Sequence, residues 1–372
     1  MRIALINGSA VPTPPWTYGS EIFTGQLAAQ LVAHGHAVHL FAPGGSVAPT
    51  GVHLHYTPQG QGQIVPGLDQ YVVQVYRTIL MQCDVIHDLS GSVSVIESLA
   101  GTPHVPPMLY TRNGIDFNRP RWHRQNAVVL SHAARTCAIN GMSAWHDTEP
   151  DYVQWDHPPG TLPNPQVVPY GTNSQFYHPA ENETERLEKT AIYVGRPHPS
   201  KGIDHILELA QARPDWQFVL AWRPLFADHR HWDTYYHRQV ETQGLRNVLF
   251  YQLPEVHHHV FKRGLYQRAT CFIQPTRYIE AFGLTAIEAM MCGTPVMLSD
   301  HGSGPEIVEQ GISGVTLSTH PFVVSQWADA LDGMSRLDRS GIRERAVDRW
   351  DIEVPTQAYL RLYERLQNGE TW

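Results

Sequence analysis

The sequence predicts an α/β protein built from two doubly wound parallel sheets, one in each half of the chain. Short apolar runs alternate with segments of helical periodicity, and continuous apolar strands are typical of parallel sheets covered on both faces. The alternation stops at a polar linker near 173–190 and then starts again. A chain of 372 residues, 42% of them hydrophobic, is long enough to bury two cores.

The N-terminal half contains six predicted strands. In chain order they are the segments 2–7, 37–41, 52–56, 84–87, 107–111 and 127–131. The clearest helix lies between the first two strands, in SEIFTGQLAAQLVAHGH, because Ile22, Leu27 and Leu31 recur at helical spacing. Gly35 is expected to end this helix.

The C-terminal half contains five predicted strands and a final helix. The strands are the segments 191–195, 217–222, 247–251, 271–275 and 295–299. A helix is predicted at 282–292, with Gly293 as its C-terminal stop and Pro295 opening the next strand. The last helix lies in PTQAYLRLYERLQ.

These elements predict domains at 1–175 and 176–350, followed by a last segment at 351–372. Ligands of doubly wound sheets lie beyond the carboxyl ends of the strands. The expected site is therefore the cleft between the two domains.

Charge and composition exclude several function classes. The net charge is −8, divided as −3 over residues 1–172 and −5 over 173–372, which is not typical of nucleic-acid or anionic-membrane binders. No apolar run of 18 residues predicts a membrane span, and MRIALING lacks the features of a signal peptide. Four cysteines without zinc-site spacing indicate free thiols and a cytoplasmic location. They are Cys83, Cys137, Cys271 and Cys292.

The stretch EAFGLTAIEAMMCGTPV predicts a binding site for a phosphate flanked by hydroxyl groups. The first N–H groups of its helix, at Phe282, Gly283 and Leu284, lack intrahelical partners and can bind an anion. Glu280 and Glu288 lie on either side and can accept hydrogen bonds from two polyols, as in a sugar nucleotide. The alternative is a capping glutamate followed by an exposed helical one.

A second candidate lies in IYVGRPHPSKG. A strand ends at Gly195, and Arg196 and Lys201 follow on a turn from which both can reach one diphosphate. The alternative is a solvated pair of loop cations.

These two segments resemble the G-R-x-x-x-x-K-G and E-x-F-G-x-x-x-x-E elements of retaining glycosyltransferases of family 4, which have the GT-B fold. Supporting matches are VVPYGTNSQFYHP, HGSGPEIVEQGISGVTL and LVAHGHAVHLFAP. The resemblance spans nearly the whole chain. It implies an acceptor-side N-terminal domain, a donor-binding C-terminal domain, and a final helix that crosses back to the N-terminal domain.

The resemblance also implies roles for residues. Arg196 and Lys201 bind the donor diphosphate, Glu280 holds the transferred sugar, and Glu288 takes the ribose. Arg196, Lys201 and Glu280 form the expected catalytic set. The expected donor-binding residues are Gly195, Arg196, Lys201, Glu280, Ala281, Phe282, Gly283, Leu284 and Glu288, with Gly19 and Asn113 from the N-terminal half. No metal and no cofactor are expected, and the sequence contains no DxD to hold a divalent ion.

Two departures from the family pattern affect the N-terminal half. Asn113, in YTRNGID, stands where many members have a histidine; its amide can hydrogen-bond a hydroxyl but cannot titrate. In YGSE, Ser20 replaces a glycine, so its Cβ narrows the approach beside Gly19.

Two further segments, one rich in arginine and one rich in histidine, also have a purely structural interpretation. RNGIDFNRPRWHR places four arginines in a predicted loop that either meets an anionic acceptor group or is solvated or internally paired. They are Arg112, Arg119, Arg121 and Arg124. In EVHHHVFKRG, adjacent histidines on a helix point about 100° apart and cannot share one metal, so a solvated helix start is expected.

The predicted function is retaining, metal-independent transfer of a hexose from a nucleoside-diphosphate sugar to an alcohol acceptor. A soluble acceptor is favoured, because the N-terminal domain lacks the clustered lysines that bind anionic lipid. No nucleic-acid partner and no peripheral membrane contact are expected, and the sequence leaves the oligomeric state open. The alternatives are a sugar phosphorylase or nucleotide-sugar epimerase on the same fold, and a non-catalytic binding scaffold.

Overall fold

The computed structural model describes residues 1–8, 12–13, 19–58, 68–90, 94–114, 125–140, 162, 164–181, 186–224, 227–254 and 258–372. The chain divides into two compact units. Unit 1 comprises Met1–Gly171 and Ile352–Trp372, and unit 2 comprises Thr172–Asp351.

Unit 1 contains a parallel sheet with the strand order β3-β2-β1-β4-β5-β6-β7. Its strands are β1 (Arg2–Ile6), β2 (Ala37–Pro43), β3 (Val52–Thr57), β4 (Val85–Asp88), β5 (Met108–Arg112), β6 (Ala127–Val129) and β7 (Gln166–Val167). Its helices are α1 (Gly19–Ala33), α2 (Leu68–Leu80), α3 (Ser94–Leu99), α4 (His132–Asn140) and α12 (Glu353–Gln367).

Helix α12 packs within unit 1 through two tyrosines. The Tyr363 hydroxyl lies 2.7 Å from His87 Nδ1, and the Tyr359 hydroxyl lies 2.8 Å from Thr111 Oγ1. His87 Nε2 is 2.8 Å from the same Thr111 oxygen. Burial lowers the pKa of His87 to about 3, so the imidazole is neutral and offers one donor and one acceptor to these hydroxyls.

Unit 2 contains a second parallel sheet with the order β10-β9-β8-β11-β12-β13. Its strands are β8 (Thr190–Val194), β9 (Gln217–Trp222), β10 (Val248–Gln252), β11 (Cys271–Gln274), β12 (Val296–Ser299) and β13 (Gly314–Leu317). Its helices are α5 (Ile203–Ala212), α6 (Ala227–Thr242), α7 (His258–Arg268), α8 (Leu284–Met291), α9 (Gly304–Ile307), α10 (Val324–Met334) and α11 (Arg339–Trp350). Tyr193, Phe218 and Trp327 are fully buried in the core between the sheet and its helices.

The predicted parallel α/β architecture is confirmed, and each of the predicted strands is present with ends displaced by no more than two residues. Strands β7 and β13 were not predicted. β7 is only two residues long, and β13 starts at a glycine and is only partly buried from Val315 onward, so neither shows a continuous apolar run.

Three expectations about polar and charged residues need correction or fall outside the described ranges. Arg112 is not a loop residue: it ends β5 and is buried. Arg119, Arg121 and Arg124 lie outside the described residues. The expected solvation of the start of α7 holds only in part, since His258 is 1% exposed whereas Val260 and Phe261 are 39% and 44% exposed.

The four cysteines are buried and unpaired. Within the described ranges, none of the helices combines the length and the hydropathy needed to cross a membrane.

Candidate functional site

Helix α8 begins at the carboxyl end of β11, where the sequence predicted an anion site. The helix starts at Leu284 rather than Phe282, because Gly283 adopts a left-handed conformation with φ 92° and serves as its N-cap. Such a φ strongly favours glycine, which also leaves the approach to the first N–H groups free of a Cβ. Ala281 and Phe282 are buried beneath this turn.

Lys201 is fixed at the neighbouring strand end by a tight turn. A single 3₁₀ turn at Pro199–Lys201 follows β8, and Gly202 continues it with φ 73°. A Cβ at Gly202 would lie 1.8 Å from the carbonyl oxygen of Pro275, so only glycine permits this approach to the end of β11. The turn therefore brings Lys201 to Glu280, although 79 residues separate them in sequence.

One oxygen of Glu280 accepts three hydrogen bonds. Oε2 accepts from Lys201 Nζ at 2.6 Å, from the Tyr278 hydroxyl at 2.6 Å and from Gln274 Nε2 at 3.1 Å. Lys201 Nζ also donates to the Tyr278 hydroxyl. Among the described residues no group donates to Oε1, and the Glu280 side chain is 19% exposed. Glu280 can therefore accept hydrogen bonds from a ligand through Oε1.

The charges around Glu280 keep its carboxylate ionised. Burial raises the pKa of Glu280, but Lys201, the Tyr278 hydroxyl and Arg196 outweigh burial, so the pKa lies below its usual value. Burial lowers the pKa of Lys201, and Arg196 lowers it further, while Glu280 opposes both. Lys201 and Glu280 therefore form an ion pair. Arg196 is a second cation beside this pair, and its charge raises the affinity of the site for an additional anion.

Arg196 follows Gly195 directly after β8, as predicted. Its backbone carbonyl accepts a hydrogen bond from the Tyr193 hydroxyl at 2.7 Å, which fixes the turn. The structure thus brings Gly195, Arg196, Lys201, Glu280 and the start of α8 to adjacent strand ends of unit 2. Two cations and a helix N-terminus at one place can bind a phosphate group.

Glu288 is placed differently from its predicted role. It is 0% exposed, and its two oxygens accept four hydrogen bonds from unit 2: from Lys262 Nζ at 2.9 and 2.8 Å, from the Tyr177 hydroxyl at 3.0 Å and from the Tyr266 hydroxyl at 2.9 Å. A ribose hydroxyl could bind Glu288 only by replacing one of these donors. The structure therefore shows Glu288 in an internal ion pair, and its assignment to the ribose stays a prediction.

The two candidates in unit 1 are also engaged internally. Asn113 Nδ2 donates to the carbonyl of Leu89 at 2.8 Å, and its Oδ1 accepts from the Tyr170 hydroxyl at 2.5 Å. One N–H and one lone pair of the amide remain for a ligand. Gly19 is the first residue of α1, and the neighbouring Glu21 is buried, which raises its pKa.

Sequence reasoning missed the side chains that support Lys201, Glu280 and Glu288. Gln274 was detectable as the polar end of an apolar strand, CFIQP. Tyr278 lies two residues before Glu280 but belongs to no recognised motif, and Lys262 had no local signal because its partner Glu288 lies on another helix. In the part of the chain that the structure describes, no group of three or more histidine, cysteine or acidic side chains has the arrangement of a metal site.

Comparison with known proteins finds a family model that matches most of unit 2. Residues 175–345 match the sequence model described as Glycosyl transferases group 1. The chain is 30% identical over 215 residues to D-inositol 3-phosphate glycosyltransferases of Mycobacterium tuberculosis (strain ATCC 25618 / H37Rv) and Mycobacterium bovis (strain BCG / Pasteur 1173P2). The alignment covers 54% of this chain and 43% of each relative, so the chain spans less than half the length of these curated relatives.

Solved structures with the same fold cover nearly the whole chain. Sucrose-phosphate synthase from Thermosynechococcus elongatus has a TM-score of 0.78 at 20% identity, over 99% of this chain and 100% of that one. AviGT4, a glycosyltransferase involved in avilamycin A biosynthesis, has a TM-score of 0.72 at 21% identity, over 100% and 99%. Anabaena HepE in complex with UDP-glucose has a TM-score of 0.71 at 18% identity, over 98% and 99%. The predicted fold class, two Rossmann-like units of the GT-B type, is confirmed.

Proposed function

We propose that this chain, which carries a glycosyl transferases group 1 match at residues 175–345, is a retaining glycosyltransferase of family 4. It moves a hexose from a nucleoside-diphosphate sugar to an alcohol acceptor without a metal ion. The observation that carries the proposal is the Lys201–Glu280 ion pair beside the left-handed start of α8, with Oε1 of Glu280 open to a ligand. Two of the similar proteins, an inositol phosphate glycosyltransferase and a protein crystallised with UDP-glucose, agree with it.

In the proposed reaction, Arg196, Lys201 and the first N–H groups of α8 bind the donor diphosphate. Glu280 Oε1 accepts hydrogen bonds from hydroxyls of the sugar. The bond from the anomeric carbon to the phosphate oxygen breaks, and the acceptor oxygen forms a bond to the same face of that carbon. The acceptor's proton passes to the departing phosphate. Fixed positive groups at this phosphate lower the barrier by several kcal/mol, about 3 for each well-placed donor.

The proposed acceptor is a soluble alcohol, and the expected compartment is the cytoplasm because the four cysteines are unpaired. The nucleotide base, the sugar and the acceptor are to be found by experiment.

A panel of nucleotide sugars tests the proposal. If the protein is a glycosyltransferase, one nucleotide sugar should raise its melting temperature. That nucleotide sugar should release its nucleoside diphosphate only when an alcohol acceptor is added. A phosphorylase would instead form sugar phosphate from a glycoside and inorganic phosphate. Binding of no nucleotide sugar by the folded protein would refute the proposal.

A further inference from the structure

Tyr278 lies two residues before Glu280, outside the motifs that the family resemblance supplied. Its hydroxyl donates to Glu280 Oε2 at 2.6 Å and accepts a hydrogen bond from Lys201 Nζ. The Lys201 ammonium also lies 4.7 Å from the centroid of the Tyr278 ring, within the range of a cation–π contact. Tyr278 therefore contacts both members of the ion pair, with its hydroxyl and with its ring.

We propose that Tyr278 is a positioning residue for sugar recognition, which directs Oε1 of Glu280 toward the donor sugar by occupying Oε2 together with Lys201. This inference rests on the proposed function and goes beyond it, because it states which carboxylate oxygen recognises the sugar and what fixes it. Gln274 provides the third donor to Oε2, at 3.1 Å.

The physical reason is the freedom of a carboxylate. The terminal torsion of a glutamate is broad and roughly two-fold, so either oxygen can face a ligand when nothing distinguishes them. Three donors on Oε2 distinguish the two oxygens. Without the phenol, Lys201 and Gln274 can bridge both oxygens, and Oε1 is no longer reserved for a sugar hydroxyl.

The charged and titratable groups that face Glu280 make the role measurable. Lys201 and Arg196 stabilise its charged form, the Tyr278 hydroxyl donates to it, and His301 lines the same small cavity. Burial acts in the opposite direction and raises the pKa of Glu280. Loss of the phenol removes one stabilising donor and leaves the burial unchanged, so the pKa of Glu280 should rise.

The test is Tyr278→Phe, which keeps the ring and its contact with Lys201. The pKa of the Glu280 carboxyl is measured by ¹³C NMR, with the resonance assigned through Glu280→Gln. We expect this pKa to rise in Tyr278→Phe, because the variant loses one donor to the carboxylate. In calorimetry, affinity for UDP-glucose should fall about 10-fold, while affinity for UDP stays within about twofold because the diphosphate contacts remain. If the natural donor contains another nucleotide, its nucleoside diphosphate and its sugar nucleotide take the place of UDP and UDP-glucose in this experiment.

Tyr235→Phe is the matched control, because Tyr235 is 37% exposed on α6 and should change neither quantity. An unchanged Glu280 pKa in a folded Tyr278→Phe protein would overturn the inference, as would equal losses of affinity for UDP and UDP-glucose. If the wild type binds no nucleotide sugar, the proposed function fails, whereas the carboxyl titration still decides the role of Tyr278.

Discussion

Replacing Lys262 with methionine removes the ammonium that faces Glu288 inside unit 2. The two side chains are 6% and 0% exposed, and Lys262 Nζ donates to both carboxylate oxygens. Removing one member of a buried ion pair typically costs about 3–5 kcal/mol. The Tyr177 and Tyr266 hydroxyls still donate to Glu288, so we expect the lower end, about 3 kcal/mol. For a unit of this size the melting temperature should fall by about 6–12 °C.

The assay is thermal melting followed by circular dichroism, with hydrogen exchange of α7 and α8 peptides to locate the loss. The control is the double variant Lys262→Met with Glu288→Leu, which replaces the whole pair by apolar side chains. Such replacements are often neutral or stabilising, so the double variant should recover most of the melting temperature. A Lys262→Met protein that melts within about 2 °C of wild type would show that the pair is not buried in solution.

The same double variant decides the role of Glu288. If Glu288 is an internal ion pair, the folded double variant should bind UDP within about threefold of wild type. A folded double variant that loses more than about 10-fold of its UDP affinity, or about 1.4 kcal/mol, would restore the ribose assignment.

Other predictions follow from the same structure. Arg196→Ala or Lys201→Ala should lower the turnover of the folded protein by about 10²-fold, and near-normal rates in both would exclude the diphosphate role. Activity should survive EDTA, and a loss reversed by Mn²⁺ or Mg²⁺ would refute metal independence. Stability of unit 1 should decline as pH falls from about 6.5 toward about 3, because the pKa of folded His87 is lowered to about 3 and the unfolded state binds the proton first. Urea titrations at several pH values should show that the free energy of unfolding depends less steeply on pH in His87→Gln than in the wild type.

The sheets were predictable because a strand that is buried on both faces consists of a continuous run of apolar residues. Segments such as AIYVG and FVLAW are apolar throughout, and each became part of a parallel strand. Strand β7 has two residues, and its single ladder with β6 needs no apolar run. Helix α8 was placed two residues early because the left-handed Gly283 was not recognised as its N-cap.

The residues of the candidate site could be predicted from the sequence, but most of their hydrogen-bond and ion-pair partners could not. Lys201 and Glu280 meet because β8 and β11 are neighbours in the sheet, which is a property of strand order rather than of local sequence. Glu288 shows the opposite case. Its partners lie on α7 and in the segment after residue 171, so a motif could not reveal that its oxygens are occupied. Asn113 is likewise held by Tyr170, which is 57 residues away.

Unit 1 is completed by a segment that follows unit 2 in the sequence. The segment Ile352–Trp372 belongs to unit 1. The Trp372 carbonyl accepts a hydrogen bond from the Asn126 backbone N–H, the Trp372 backbone N–H donates to Asn126 Oδ1, and the Trp372 indole donates to the Ala127 carbonyl. Unit 2 is one uninterrupted stretch of chain and can finish folding before the segment Ile352–Trp372 is synthesised. During translation, the β4 and β5 side chains that contact α12 in the folded protein lack these contacts until α12 has been synthesised. Pulse proteolysis of arrested nascent chains should therefore find unit 2 protected before unit 1.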